Sequence, residues 1–191
     1  MKGLLAVLVA LLLAGCVAFA AVGPGPVKVG DVMTVSLDGK WNRAPSMFAP
    51  PKGEVWTAEG IPVDRLTFFV GLADNDVLYR SQGADEKKLP KFRAGMHPNE
   101  IVEFYEAYAT ADGSSFTLIK LEPASFLGAD GFRFEFQAVR KSDEVRLSGV
   151  GYGALRGGKL YMMVYTAPTI HFFPGYLPRV EAIARSARLG A

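Results

Sequence analysis

Cysteine is nearly absent from this chain: Cys16 is the only one in 191 residues. A lone thiol leaves the folded part without a disulfide, so its stability must come from packing. Histidine is almost as scarce, with only His97 and His171. Two imidazoles and no spare thiol are too few for a histidine- or cysteine-built zinc site, and the expected metal and cofactor complement is none. His97 reads as a cap or a solvated residue at a helix start, and His171 as a partly buried residue fixing a loop. No Gly-x-Ser-x-Gly elbow accompanies either one, so nothing points to a serine hydrolase. Charge of one sign is lacking too: the formal balance is +2, which gives no basic face for nucleic acid. No long hydrophobic run is present either. The apolar stretch Leu4–Ala14 has eleven residues, against the ~20 needed to span a bilayer as a helix.

What is there begins with that short stretch. Lys2 precedes it, Ala14-Gly15 follow it, and Cys16 closes it, the layout of a cleaved export signal rather than of a permanent span. Leu13-Ala14-Gly15-Cys16 resembles the bacterial lipobox. The resemblance implies cleavage between Gly15 and Cys16, diacylglyceryl transfer to the Cys16 sulfur and fatty acylation of the new amino terminus. Thiolate chemistry explains why cysteine is required, and two or three acyl chains anchor stably where one does not. The competing reading is an ordinary secretory peptide cut near Ala18–Ala21, with Cys16 an incidental member of the apolar run. The lipoprotein reading places the chain in a bacterial envelope, membrane-anchored and facing the periplasm. Val17, which is not an aspartate, favours the outer over the inner membrane.

The expected organisation is a signal over residues 1–15, a tether over 16–27 and one globular domain over 28–191. Gly23-Pro24-Gly25-Pro26 supports the tether. No internal repeat or low-complexity tract divides the rest, and half-apolar composition with 13 Phe, 7 Tyr and 2 Trp can fill a sizeable core. Strand signals dominate: Val32–Leu37, Glu54–Thr57, Leu66–Leu72 and Ser115–Leu121. The clearest is the alternation that sets Phe132, Phe134, Phe136 and Ala138 opposite Arg133, Glu135 and Gln137. Arg156-Gly157-Gly158 marks a tight hairpin, so about 132–140, 145–155 and 159–167 form an antiparallel meander. Two helices are expected. One opens at Pro98 with Glu100 in its first turn and carries Ile101, Tyr105 and Tyr108 at helical spacing. The other runs from about Leu177 to Arg188. The class is therefore α+β, an antiparallel sheet with helices packed on it.

The strand Tyr161-Met162-Met163-Val164-Tyr165-Thr166-Ala167-Pro168, followed by a short loop and a terminal helix closing on Ile183-Ala184-Arg185-Ser186, is similar to the ending of PsbP-like domains. Gly131-Phe132-Arg133-Phe134 is similar in placement. The resemblance covers the last third of the chain. It implies an antiparallel sheet between helices in an α/β/α sandwich, and a family of noncatalytic binding proteins of envelope or thylakoid.

Four further features have both a bland and a sharp reading. Asp74-Asn75-Asp76 with Asp85-Glu86 lacks the glycine and distal glutamate of a calcium loop and reads as a polar turn. Gly149, Gly151 and Gly153 share one strand face; a helix, such as the terminal one, is expected to pack there in preference to a ligand. Lys87-Lys88-Leu89-Pro90-Lys91-Phe92-Arg93 reads as a solvated loop in preference to a headgroup contact. His171, Phe172, Phe173 and Tyr176 form a possible binding surface, against the plainer reading of a plug at the sheet edge. The expectation is a lipid-anchored, noncatalytic envelope protein whose domain binds an unidentified protein partner. Its alternative is a carrier of a small hydrophobic ligand or lipid, with the Phe face of 132–138 lining the pocket. A hydrolase ranks last.

Overall fold

Eleven strands and two helices make up the part of the chain that the computed structural model describes, residues 19–80 and 89–190. In chain order they are β1 Ala20–Val22, β2 Gly25–Val29, β3 Met33–Leu37, β4 Trp41–Arg43, β5 Gly53–Thr57, β6 Arg65–Leu72, α1 Pro98–Ala109, β7 Thr117–Phe126, β8 Ala129–Val139, β9 Arg146–Arg156, β10 Lys159–Pro168, α2 Phe172–Ser186 and β11 Arg188–Leu189. Eight of the strands form one antiparallel sheet in the order β1-β4-β5-β6-β10-β9-β8-β7, and β11-β3-β2 form a second. The α+β class and the β8–β9–β10 meander are as the sequence leads one to expect.

Period-two alternation buries both faces of the large sheet. On one face Trp56, Phe68, Val150, Met163 and Tyr165 meet α2 and the small sheet; on the other Phe69, Phe134, Met162 and Val164 meet α1 together with Leu78 and Phe92. The result is three layers with the eight-stranded sheet in the middle. α1 starts where Pro98 suits a first turn, and Glu100 Oε2 accepts from the His97 amide at 2.8 Å. No described helix is long and apolar enough to cross a membrane.

The structure revises three expectations. Strands reach into the expected tether: Ala20–Val22 pairs with β4, and Gly25–Val29 pairs with β3 through Gly25↔Leu37 and Pro26↔Ser36. Pro26 is tolerated because β2 is an edge strand. α2 begins at Phe172 rather than near Leu177; Pro174 falls in the first turn, where its missing N–H costs nothing, and Pro178 is carried inside the helix. The glycine row is filled by rings of the neighbouring strand and not by a helix. Gly149, Gly151 and Gly153 pair with Phe136, Phe134 and Phe132, whose rings occupy the space a β-carbon would take. α2 instead packs on the opposite face, where Val150, Tyr152 and Ala154 lie.

The polar face of β8 is likewise covered rather than solvated at Arg133. Its side chain is 14% exposed, and the guanidinium reaches Glu122, Glu135 and, at 3.3 Å, Glu181 of α2. Arg133 Nε also donates to the Tyr152 hydroxyl at 3.0 Å. One cation thus ties three strands and a helix together. Burial opposes its charge, and the hydrogen bonds to Glu135 and Tyr152 more than offset this, holding its pKa above the usual arginine range.

Candidate functional site

The residues singled out from sequence fall in separate places. Cys16 and Gly15 lie outside the described residues, as do Lys87, Lys88, Asp85 and Glu86. His171 is exposed at the turn into α2, with φ 73° and ψ −62°. The Phe172 amide donates back to the Ile170 carbonyl at 2.9 Å, closing a γ-turn on His171. Phe172, Phe173 and Tyr176 are half-buried against the α2-side core. Phe173 stacks on Tyr165 at 6.1 Å and Tyr176 meets the edge of Trp41 at 5.9 Å. The Tyr176 hydroxyl donates to Glu59, and Arg179 lies over both Trp41 and Tyr176. This group packs α2 onto the sheet and leaves His171 and the 85%-exposed Ile170 facing solvent.

His97 is also exposed. The two imidazoles sit at the starts of helices on opposite faces of the main sheet, so no single site brings them together. Asp74 and Asp76 shape a turn: Asp74 Oδ1 accepts from the Ala94 amide, and Asp76 Oδ2 accepts from the Ala73 amide and from Lys52 Nζ, both at 2.6 Å. Among the described residues no group of three His, Cys, Asp or Glu is placed to hold a metal ion. Of the basic stretch, Leu89 is buried and Phe92 is buried in the α1-side core, while Lys91 and Arg93 stay exposed.

The feature that sequence reading missed is a cavity of about 310 Å³ between the C-terminal end of α1 and the sheet. β6, β8, β9 and β10 supply its floor, with Thr67, Phe136, Leu147 and Thr166 among the lining. Its wall is aromatic: Tyr105 lies 5.7 Å from Tyr108 and 5.6 Å from Phe136, and Tyr79 lies 5.9 Å from Tyr108. Phe132 and Phe134 do not line it, so of the expected Phe face only Phe136 and Ala138 reach this cavity.

Burial pushes the phenols of Tyr105 and Tyr108 well above their ordinary range, so both are neutral donors at any physiological pH. Asp112 sits at the lip. Burial raises its pKa, and the Ser114 hydroxyl and amide outweigh that and hold it below the usual carboxylate range. Arg65 and Arg140 complete the rim. Arg140 is committed to Asp143 and to the Pro62 carbonyl. Arg65 donates only through Nε, to the Ile61 carbonyl at 3.4 Å, and its Nη atoms have no partner among the described residues. The cavity is apolar and aromatic inside, and at its mouth the Arg65 guanidinium keeps its Nη atoms free of partners among the described residues.

No family model matches the chain, and no curated protein matches it in sequence. Its fold is similar to that of the cyanobacterial PsbP protein CyanoP from Synechocystis, with a TM-score of 0.59 over 93% of this chain and 95% of that one at 11% identity. The likeness is one of fold, and it extends the PsbP-like resemblance from the last third to nearly the whole chain. A second solved structure, LpqN involved in cell envelope biogenesis of Mycobacterium tuberculosis, gives a TM-score of 0.45 at 10% identity, covering 91% and 92% of the two chains.

Proposed function

We propose that the chain is a noncatalytic protein of the bacterial envelope, held to a membrane by lipid on Cys16, whose domain binds a protein partner through the tyrosine-walled cavity. The observation that supports this is an open aromatic cavity in a molecule whose other polar groups are largely engaged in its own architecture. At about 310 Å³ the cavity is at the low end of small-molecule sites. It is the size of one large anchoring side chain, and interface energy concentrates on such anchors. The Arg65 Nη atoms at the rim favour a partner that presents an acceptor or a carboxylate beside the anchor.

The apolar wall also supports a second reading, the carriage of a small hydrophobic ligand or lipid. Ala109 closes α1 at the cavity and can be enlarged outward without deleting a core contact. Ala109→Trp should fill the space while leaving thermal unfolding near that of the parent. With the parent chain as bait in solubilised envelope, a stoichiometric partner should be recovered, and the Ala109→Trp chain should lose it. Undiminished recovery by the filled variant overturns the cavity as the contact. A hydrophobic adduct retained in native mass spectra of the parent, and lost in Ala109→Trp, would favour the carrier instead.

A further inference from the structure

We infer that the β1–β4 edge of the main sheet is a membrane-facing surface, seated on the bilayer through Phe19, Met47 and Phe48. The inference rests on the lipid anchor proposed at Cys16. Three observations meet at this edge. The first is a cluster of exposed apolar side chains: Phe19 is 41%, Met47 73% and Phe48 40% exposed, and the rings of Phe19 and Phe48 stack at 6.3 Å. Single exposed hydrophobics need no explanation, but three large ones gathered together mark a contact surface.

The second is how firmly the cluster is held. Met47 and Phe48 belong to a single 3-10 turn, Ser46–Phe48, that buries none of its own residues. The turn is closed by the Phe48 amide on the Pro45 carbonyl at 3.0 Å and the Ala49 amide on the Ser46 carbonyl at 3.1 Å. Just upstream, the Ala44 amide bonds to the Val55 carbonyl of β5 at 2.8 Å. Phe19 leads straight into β1, which pairs with β4 at Ala20↔Arg43. The turn is therefore not a loop that can fold its apolar tips back inward.

The third observation selects the occupant. Phe19 is the first described residue and lies three residues after Cys16. Three residues span at most about 10 Å. Acyl chains on Cys16 put that end of the chain at headgroup depth, so this edge cannot stand further from the bilayer than that span. An apolar cluster at that distance meets the headgroup–acyl boundary, where aromatic and aliphatic side chains partition favourably. The far side of the sheet is carried away from the membrane. The β8–β9 connection lies four to five strand spacings from β4, roughly 19–24 Å at ~4.8 Å per strand.

Acylation would consume the only native thiol, so a single introduced cysteine can be labelled specifically. Full-length Met47→Cys and Lys141→Cys chains, processed in a bacterium and reconstituted in phosphatidylethanolamine–phosphatidylglycerol vesicles, would carry a nitroxide at the new position. Mass spectrometry of the N-terminal peptide reports the anchor, and collision accessibility to water-borne and bilayer-borne relaxants reports docking. The expected result is a lipidated Cys16 peptide, severalfold protection of the Met47 label from the aqueous relaxant, and a Lys141 label open to water. A lipidated Cys16 with both labels equally open to water overturns the docking surface and leaves the anchor standing. An unmodified Cys16 overturns the anchor, and the docking surface with it.

Discussion

At the scale of single residues, the row Gly149, Gly151 and Gly153 decides how β8 and β9 lie together. Each glycine faces one ring of Phe136, Phe134 or Phe132, and all three phenylalanines are nearly or fully buried. The missing β-carbons let each ring lie flat on the neighbouring backbone. A methyl added at Gly151 would overlap the Phe134 ring, and Phe134 has no exposed surface toward which to move. Gly151→Ala should therefore destabilise the fold by about 1–3 kcal/mol, as overpacking does, despite alanine's lower backbone entropy cost. Chemical unfolding measures it, and Phe134→Leu in the same chain should recover part of the loss; additive effects would rule out the ring contact as the cause. This pairing was latent in the sequence, because the two triplets are mirror images about the 140–145 turn. Each strand was legible by itself from its alternation. The match between large and absent side chains shows only once antiparallel register is imposed on both.

At the scale of elements, the seating of α2 depends on contacts that cross long stretches of chain. Tyr176 from its first half donates to Glu59 in the β5–β6 connection, and that hydrogen bond, helped by burial, raises the phenol to about 12 from an ordinary value near 10. A raised folded-state value means that the unfolded chain ionises first. The stabilisation is complete below pH 10, and it is lost as pH rises through about 12. Tyr176→Phe should flatten that part of the alkaline limb in denaturation monitored at fixed temperature, at a cost of about 1 kcal/mol near neutrality, where the lost hydrogen bond is fully formed. An unchanged limb would show that the Glu59 contact does not hold the phenol. The start of α2 was hard to read because Pro174 looks like a helix breaker, whereas the first turn accepts it. Pro26, read as part of a tether, is accommodated in β2 because that strand lies at a sheet edge. The cavity was illegible for a further reason: its walls come from segments as far apart as Ile61 and Thr166, and no local pattern records their meeting.

At the scale of the whole molecule, the proposed anchor and the folded domain are nearly continuous. Only Val17, Ala18 and Phe19 separate Cys16 from β1, which is itself part of the eight-stranded sheet. A protease must draw an extended segment into its groove, and a separation this short provides one only if β1 leaves β4. Cleavage that frees the domain should then track local opening of the sheet edge, not encounter with the protease. Inserting a Gly/Ser segment of about ten residues between Ala18 and Phe19 adds a flexible reach of about 17 Å and removes that requirement. Treating membranes that carry the parent chain with a broad-specificity protease should release intact domain slowly, at a rate that rises when mild denaturant weakens the edge. The inserted chain should be shaved rapidly and with no such dependence. Equal release rates for the two would mean that β1 does not restrain the junction, and that the domain stands free of its anchor.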